Sequence, residues 1–444
     1  MTENAPAKEV EFDNASKLDR QIASHRRGPC RLCVVGADGP LPAAQVRVRL
    51  RRHAFIFGSN AFGWGKMGRL GGADGEERRL RTLGDDGSVV QSRLAERVVG
   101  HGQDYDDGSH PDDRLYTSLF TEIFNLAVVP LYELAVSPKP WQSRLHRTGV
   151  IADWARRNNM RVKGHPLIFH QHKWDKGWWD EMDTEAYWDA MRWRQQQILS
   201  RFGQDFEWWD FLNEPIAHTP PAESLLDAAI RAYRLTRSLH RHPNLTLNFN
   251  QAEALWPDYQ PQALGLVEQL LERGIVPDVI GIQSHLGTLD QQDVDQVCAG
   301  IDAFAQFGIP LHFTETTFKT PQEMQPDEAE HRQAHDVEAF YRYIFSRPEI
   351  SALVWWDLCD RYSFCEIGGL VRTDMTPKPS HQRLRSLICE RWHTEECVDV
   401  EAGTGEFEGF FGDYEAHIEL PNGSSVFHTF THEPLTLAPT VLTA

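Results

Sequence analysis

The chain reads as an α/β protein: a (β/α)8 barrel with small β appendages at both ends. Three observations predict it. Eight short apolar runs recur between residues 55 and 357, helical patterns fill most of the gaps between them, and polar or ionisable residues gather at the C-terminal ends of the runs. The runs are Phe55–Phe57, Leu126–Leu131, Arg161–Phe169, Phe206–Asn213, Leu245–Asn250, Val279–His285, Pro310–Glu315 and Ala352–Asp357. Apolar residues at helical spacing predict helices over Thr184–Phe202, Ala222–Leu239, Pro261–Arg273, Asp293–Phe307 and Ala329–Phe345. A doubly wound sheet would need a Gly-rich phosphate turn after its first strand, and Gly63-Trp64-Gly65 is too short for one.

The flanks differ from this middle. Arg31–Val35 and Gln45–Leu50 are strand-like around the turn Ala37-Asp38-Gly39-Pro40, so residues 1–50 read as a tail plus a small β appendage. Residues 51–396 form the barrel, and 397–444, with short runs split by Gly and Asn-Gly, form a C-terminal β appendage. Residues 66–113, rich in Gly, Asp and Arg, read as a long insertion after the first strand, on the face where barrels place their sites.

Composition narrows the partners. With 64 acidic against 45 basic residues the net charge is −19, which argues against a nucleic-acid backbone as partner. No apolar run approaches the ~20 residues of a membrane span. Met1 to Asp19 lacks an apolar signal core, so a cytoplasmic location is expected, with secretion as the alternative. The seven cysteines are scattered, and Cys30 and Cys33 would point to opposite faces of a strand. Fourteen tryptophans suit both core filling and stacking on sugar faces. Oligomeric state is not legible.

In a parallel barrel, strand ends converge on one mouth. They bring His165 and His170, Asn213-Glu214, Asn248 and Asn250, Gln283 and His285, Thr314-Glu315, and Trp355-Trp356-Asp357. Two glutamates at the ends of separate strands are what protonation of, and attack on, a glycosidic bond require. His165, His170 and His172 also raise a metal reading, but their spacing does not aim all three one way.

These residues resemble glycoside hydrolase family 10, the retaining β-1,4-xylanase family, over roughly Val46 to Trp392. His53-Ala54-Phe55-Ile56-Phe57-Gly58 is similar to its first strand and Gly164–His170 to its third. Trp209-Asp210-Phe211-Leu212-Asn213-Glu214 resembles its Trp-Asp-Val-Val-Asn-Glu. Gln283-Ser284-His285-Leu286, Thr314-Glu315, Val354-Trp355 and Thr376-Pro377-Lys378-Pro379 follow in the family's order. The resemblance implies Glu214 as acid/base, Glu315 as nucleophile and His285 as the residue orienting Glu315. It implies substrate contacts from Asn213, His165, Gln283, Trp355, Glu133 and Asn250, a carbohydrate substrate, and no cofactor or metal. The expected activity is double-displacement cleavage of xylan-type β-1,4-linked chains; the alternatives are another β-linked glycan or glycoside, and an inactive sugar-binding protein. The departures are specific. Of the family's Glu-Asn-Glu-x-Lys-Trp run only Glu133-Leu134 remains, Phe169 replaces a Trp, Thr317 replaces the Asp two places after the nucleophile, and a second Trp has no match near Arg361–Phe364.

Overall fold

In a computed structural model of the chain, residues 15–36, 38–41, 43–66, 108–170, 177–218, 223–240, 243–318, 324–365, 367–420, 423–434 and 438–443 are described. They divide into two compact units. The first comprises Met1–Ile56, Val337–Ser351 and Gln382–Ala444, and the second Phe57–Asp336 and Ala352–His381.

The first unit contains an eight-stranded sheet built from both ends of the chain. The N-terminal strands are β1 (Arg27–Gly36), β2 (Gly39–Pro40) and β3 (Ala43–His53). Along β3, Val46, Val48 and Leu50 are buried while their neighbours face water, the period-two pattern of a half-buried strand. On β1 the buried set is Cys30, Leu32 and Val34, so Cys33 points the other way; none of the seven cysteines, all among the described residues, forms a disulfide. The helix Ala15–Arg26 is absent from the reading of residues 1–50 as tail plus strands. Only Leu18 and Ile22, one turn apart, are buried on it, too little for a periodic signal. Tertiary contacts hold it: the Arg26 guanidinium donates to the carbonyls of Phe345, Arg347 and Ile350 and lies 4.8 Å from the Phe55 ring centre.

Eight parallel strands close the barrel: β4 (Ile56–Asn60), β5 (Leu126–Pro130), β6 (Arg161–His165), β7 (Trp208–Asn213), β8 (Asn244–Phe249), β9 (Val279–Leu286), β10 (Leu311–Phe318) and β11 (Ile350–Trp355). Being covered on both faces, they are almost continuously buried, as parallel strands are. Helices follow each of them: Pro111–Ile123, His146–Arg157, Thr184–Phe202, Leu225–Leu239, Gln260–Glu272, Gln291–Ala305, Pro326–Ser346 and Pro379–Arg385. All eight expected strands lie within a few residues of these bounds, and the helix Thr184–Phe202 is where its pattern puts it. The helix from Pro111 begins inside the expected 66–113 insertion, whose residues 67–107 lie outside the described residues.

The C-terminal strands β12 (Glu395–Glu401), β13 (Thr404–Phe410), β14 (Gly412–Glu419), β15 (Ser425–His432) and β16 (Thr440–Thr443) complete the sheet, whose order is β15-β14-β3-β12-β13-β1-β16, with β2 on β1. The two terminal appendages are thus one sheet: β1 pairs antiparallel with β13, and β3 lies between β12 and β14. Among the described residues no helix is long and apolar enough to cross a membrane.

One glycine in the barrel wall fixes a side chain of the mouth. A Cβ on Gly281 would stand 2.3 Å from Asn248 Oδ1 and 2.9 Å from both Thr246 Cγ2 and Thr314 Cγ2. Gly281→Ala is expected to destabilise the protein by about 1–3 kcal/mol through overpacking and to displace Asn248. Urea unfolding measures it, and an unchanged midpoint would show that the wall yields freely.

Candidate active site

The mouth is built from side chains at the ends of β5 to β11. β7 delivers Asn213 and then Glu214, which has a left-handed backbone (φ 49°) and donates its N–H to Asn248 O at 2.7 Å. β10 delivers Glu315, whose carboxylate is almost fully buried. Register shifts at Asp210/Leu212 on β7 and Phe313/Glu315 on β10 lie beside both, and such bulges re-aim side chains.

One amide joins the two carboxylates. Gln283 Nε2 donates to Glu214 Oε1 at 3.1 Å and to Glu315 Oε1 at 2.9 Å. Laid end to end, these contacts hold the two oxygens no more than about 6.0 Å apart. That is shorter than the ~6.5–9.5 Å of inverting glycosidases and compatible with the ~5–5.5 Å of retaining ones. Asn248 Nδ2 adds a donor to Glu315 Oε1 at 3.1 Å and another to Asn213 Oδ1 at 2.6 Å, while Thr314 Oγ1 donates to Asn248 Oδ1. Asn213 Nδ2 in turn reaches Glu214 Oε1 at 3.4 Å.

Burial, and next the Glu315 charge, raise the Glu214 carboxyl above its usual range, against the pull of Gln283, His165 and Asn250. Its side chain keeps a fifth of its surface exposed, and His218 Nε2 stands 3.6 Å from Oε2.

Histidines flank Glu315 on two sides. His165 Nε2 lies 3.8 Å from Glu315 Oε1, and its Nδ1 is 2.6 Å from Asp210 Oδ2. Because a carboxylate only accepts, Nδ1 carries a hydrogen, and Nε2 lies 3.2 Å from Tyr132 Oη. Lys163 Nζ closes this line on Asp210 Oδ1 at 2.7 Å. Burial opposes the Asp210 charge, but Lys163 and His165 prevail and lower its pKa. His285 Nε2 lies 3.5 Å from Glu315 Oε2, and its Nδ1 is 3.2 Å from Thr317 Oγ1. Thr317 thus occupies the seat behind the imidazole with a neutral hydroxyl, whose own proton goes to Trp356 O at 3.3 Å.

Of the residues expected at the site, Glu214, Glu315, Asn213, Gln283, His165 and His285 are brought together. Asn250 is present in another capacity: its Oδ1 caps the helix Gln251–Leu255, and its side chain is among the groups that pull the Glu214 pKa down. Two placements need correction. Trp355 is fully buried and stacks on Phe318 at 6.1 Å, away from the mouth. Its neighbour Trp356 lies 5.3 Å from the rings of both His165 and Phe62, because adjacent strand residues face opposite sides. Glu133 is turned inward, its Oε1 accepting Phe169 N–H at 2.5 Å. Burial pushes its carboxyl up to about 7 despite the buried Arg194. Arg194 itself donates to the carbonyls of Leu131 and Leu167. His170 packs its ring against Tyr187 and Trp179, and His172 lies outside the described residues. Among the described residues no three His, Cys, Asp or Glu side chains are grouped to hold a metal.

Sequence reasoning missed Tyr132, Trp356, Lys163, Asp210, His218 and Glu253, and gave Asn248 no role. Asn248 had a signal, since Thr246, Asn248 and Asn250 share one face of an otherwise apolar strand. Tyr132, packed edge-on against Phe62 and Phe169, had none.

A closed (β/α)8 barrel with two carboxylates bridged by one amide at its mouth defines a protein of the paired-carboxylate glycosidase class. The chain belongs to glycosyl hydrolase family 10, whose model matches residues 134–386. It is 25% identical over 327 residues to the anti-sigma-I factor RsgI6 of Acetivibrio thermocellus (71% of this chain, 41% of that protein). It is 23% identical over 332 residues to endo-1,4-beta-xylanase 1 of Arabidopsis thaliana (72% and 34%). The chain therefore spans well under half the length of these two relatives. Among solved structures, xylanase 10B from Thermotoga petrophila RKU-1 in complex with xylobiose shares the fold, with TM-score 0.56, 21% identity, and 64% and 91% of the two chains covered.

The Glu214 shift has a testable sign. Its folded pKa lies above the unfolded value, so the stability it contributes is complete below the unfolded pKa and is lost as pH rises through the folded one. Glu214→Gln, neutral throughout, should therefore gain thermal stability over the parent as pH rises through the Glu214 pKa. Glu315→Gln should lower that pKa, read by carboxyl NMR; an unmoved resonance would remove Glu315 as a cause.

Proposed function

We propose that the chain is a retaining glycoside hydrolase of β-1,4-linked, xylan-type chains. The observation that carries this is the Gln283 amide shared by Glu214 and Glu315, which keeps two carboxylates close enough for double displacement. The xylanase names among the relatives support the substrate class.

In this mechanism Glu315 attacks the anomeric carbon as the glycosidic C–O bond breaks, and the departing oxygen takes the Glu214 proton. A covalent glycosyl-enzyme results. Glu214, now ionised, takes a proton from water as that water attacks the same carbon and releases Glu315. The raised Glu214 pKa suits the first role, and the donors from Gln283 and Asn248 hold the Glu315 carboxylate in place. Asn213 stands beside Glu214 as a donor for the sugar 2-hydroxyl, and Trp356, beside His165, takes the substrate contact expected of Trp355.

A second reading keeps the chemistry and changes the sugar. Glu133, expected to grip the substrate, is directed at Phe169 N–H, and Phe62, Tyr132, Phe169 and Trp356 form an aromatic wall beside His165. A wall with few donors favours a glycone with fewer hydroxyls to satisfy or a shorter one. A panel of xylan, xylo-oligosaccharides, other β-glucans and aryl β-glycosides, with product analysis, separates these readings.

Glu315→Ala should abolish turnover on every substrate of that panel. Glu214→Ala should lose about 10²–10⁴-fold on natural linkages, the size of a general acid's contribution, while forming the glycosyl-enzyme readily from dinitrophenyl glycosides, whose leaving group needs no proton. Equal losses on both substrate types would refute the assigned roles, and no turnover of any glycoside by the parent protein would leave a sugar-binding protein.

A further inference from the structure

The backbone at Glu214 poses a mechanical question. Its φ of 49° lies in the left-handed region, which a glutamate resists, so the turn that follows has to be held from outside. Two anchors are backbone contacts: Glu214 N–H to Asn248 O at 2.7 Å, and His218 N–H to Glu214 O at 3.0 Å. The third is a side chain that neither the sequence motifs nor the mechanism uses. Glu253 Oε1 accepts the N–H groups of both Ile216 (3.1 Å) and Ala217 (2.8 Å).

We propose that Glu253 is a positioning residue for proton delivery: its buried carboxylate clamps the turn 214–218 to the end of β8 and so aims Glu214 at the leaving oxygen. The inference rests on Glu214 being the acid/base. Glu253 is 2% exposed, and its second oxygen, Oε2, accepts Asn250 N–H at 3.2 Å, while Asn250 Oδ1 accepts Glu253 N–H at 3.0 Å. This reciprocal cap starts the helix Gln251–Leu255. A capping box satisfies donors of its own helix; here the same carboxylate also takes two N–H groups from a loop more than thirty residues earlier in the chain. Asn248, two residues before Asn250, accepts the Glu214 N–H on its carbonyl and donates from its side chain to Glu315. One short segment at the end of β8 therefore holds both the backbone of Glu214 and the carboxylate of Glu315.

The residue type matters because three donors converge on one group. The two oxygens of the Glu253 carboxyl group take all three, two on Oε1 and one on Oε2; a glutamine has one acceptor oxygen and would turn its NH2 towards an N–H. The arrangement is held against electrostatics, since burial and then the Glu214 charge push the Glu253 carboxyl up to about 8. A plain helix cap would not require a second buried acid beside an active carboxyl.

The test is a ratio measured within one sample, which does not depend on the folded fraction. kcat/KM is measured for Glu253→Gln and Glu253→Asp on a xylo-oligosaccharide and on a dinitrophenyl xyloside. A misaimed Glu214 slows only the reaction that needs its proton, so the loss on the oligosaccharide should exceed that on the activated substrate at least tenfold, mainly through kcat. Glu253→Asp, which keeps the acceptors but is one methylene shorter, should fall between Gln and the parent. Equal loss on both substrates would make Glu253 a general structural residue and overturn the proposal, as would no loss on either. Glu214→Ala measured alongside shows the split at its fullest; if it shows none, the acid/base assignment fails and the role of Glu253 falls with it.

Discussion

The site depends on holding two negative charges together in a buried place. Two unit charges about 6 Å apart repel by about 3 kcal/mol at an effective dielectric of about 20, and among the described residues neither Glu214 nor Glu315 is paired with a lysine or arginine. The fold answers with fixed dipoles. The amides of Gln283, Asn248 and Asn213 all point N–H groups at these carboxylates, and each amide is fixed at a strand end. Repulsion that the dipoles leave uncancelled falls on the more exposed partner, and Glu214 rises in pKa. The two carboxylates thus sit in unlike surroundings although one amide joins them.

Positive charge is present but set back. Lys163 and Asp210 form a buried pair on β6 and β7, with His165 between that pair and Glu315. Placed directly on Glu315, a lysine would pair with that carboxylate. One step removed, it fixes Asp210 as an anion, which takes the hydrogen of His165 Nδ1 and so orients that ring beside Tyr132. His312, buried near Lys163, is held neutral: burial and then that ammonium push it down to about 3, so no further charge enters this line.

Much of this was legible because a parallel barrel converts position at a strand end into position at the mouth. Glu214, Glu315, Asn213, Gln283, His165 and His285 could be gathered without knowing a single contact. What failed was finer than a strand. Trp355 and Trp356 differ by one residue, and in a period-two element that exchanges core and mouth. Glu133 carries the right residue type on a short helix, Glu133–Val136, whose aim is set by Phe169 N–H and Arg194 from later in the chain. Glu253 stands inside an ordinary helix start, and only the approach of a distant loop gives it its donors. The helix Ala15–Arg26 owes its existence to carbonyls more than three hundred residues away. Long-range hydrogen bonds leave no local pattern to read.

The left-handed residues at the mouth show where the barrel bears strain. Glu214 (φ 49°) and Asp357 (φ 69°) each come immediately after, or one residue beyond, the end of a barrel strand, and each is an acid where glycine would be easier. Asp357 accepts Asn60 Nδ2 at 2.9 Å and Phe364 N–H at 2.5 Å. It therefore ties the end of the first barrel strand to the loop after the last one, next to the Trp356 ring that faces His165. Strain of this kind persists only where neighbouring contacts over-determine the backbone. Both residues have such contacts: Asn248 and the Glu253 clamp at one, Asn60 and Phe364 at the other. A relaxed turn at either place would re-aim the side chain beside it. The barrel's hydrogen-bonded closure is therefore the source of the rigidity that the mouth uses: strands fixed on both sides can hold a turn at their ends in a conformation the turn would not choose.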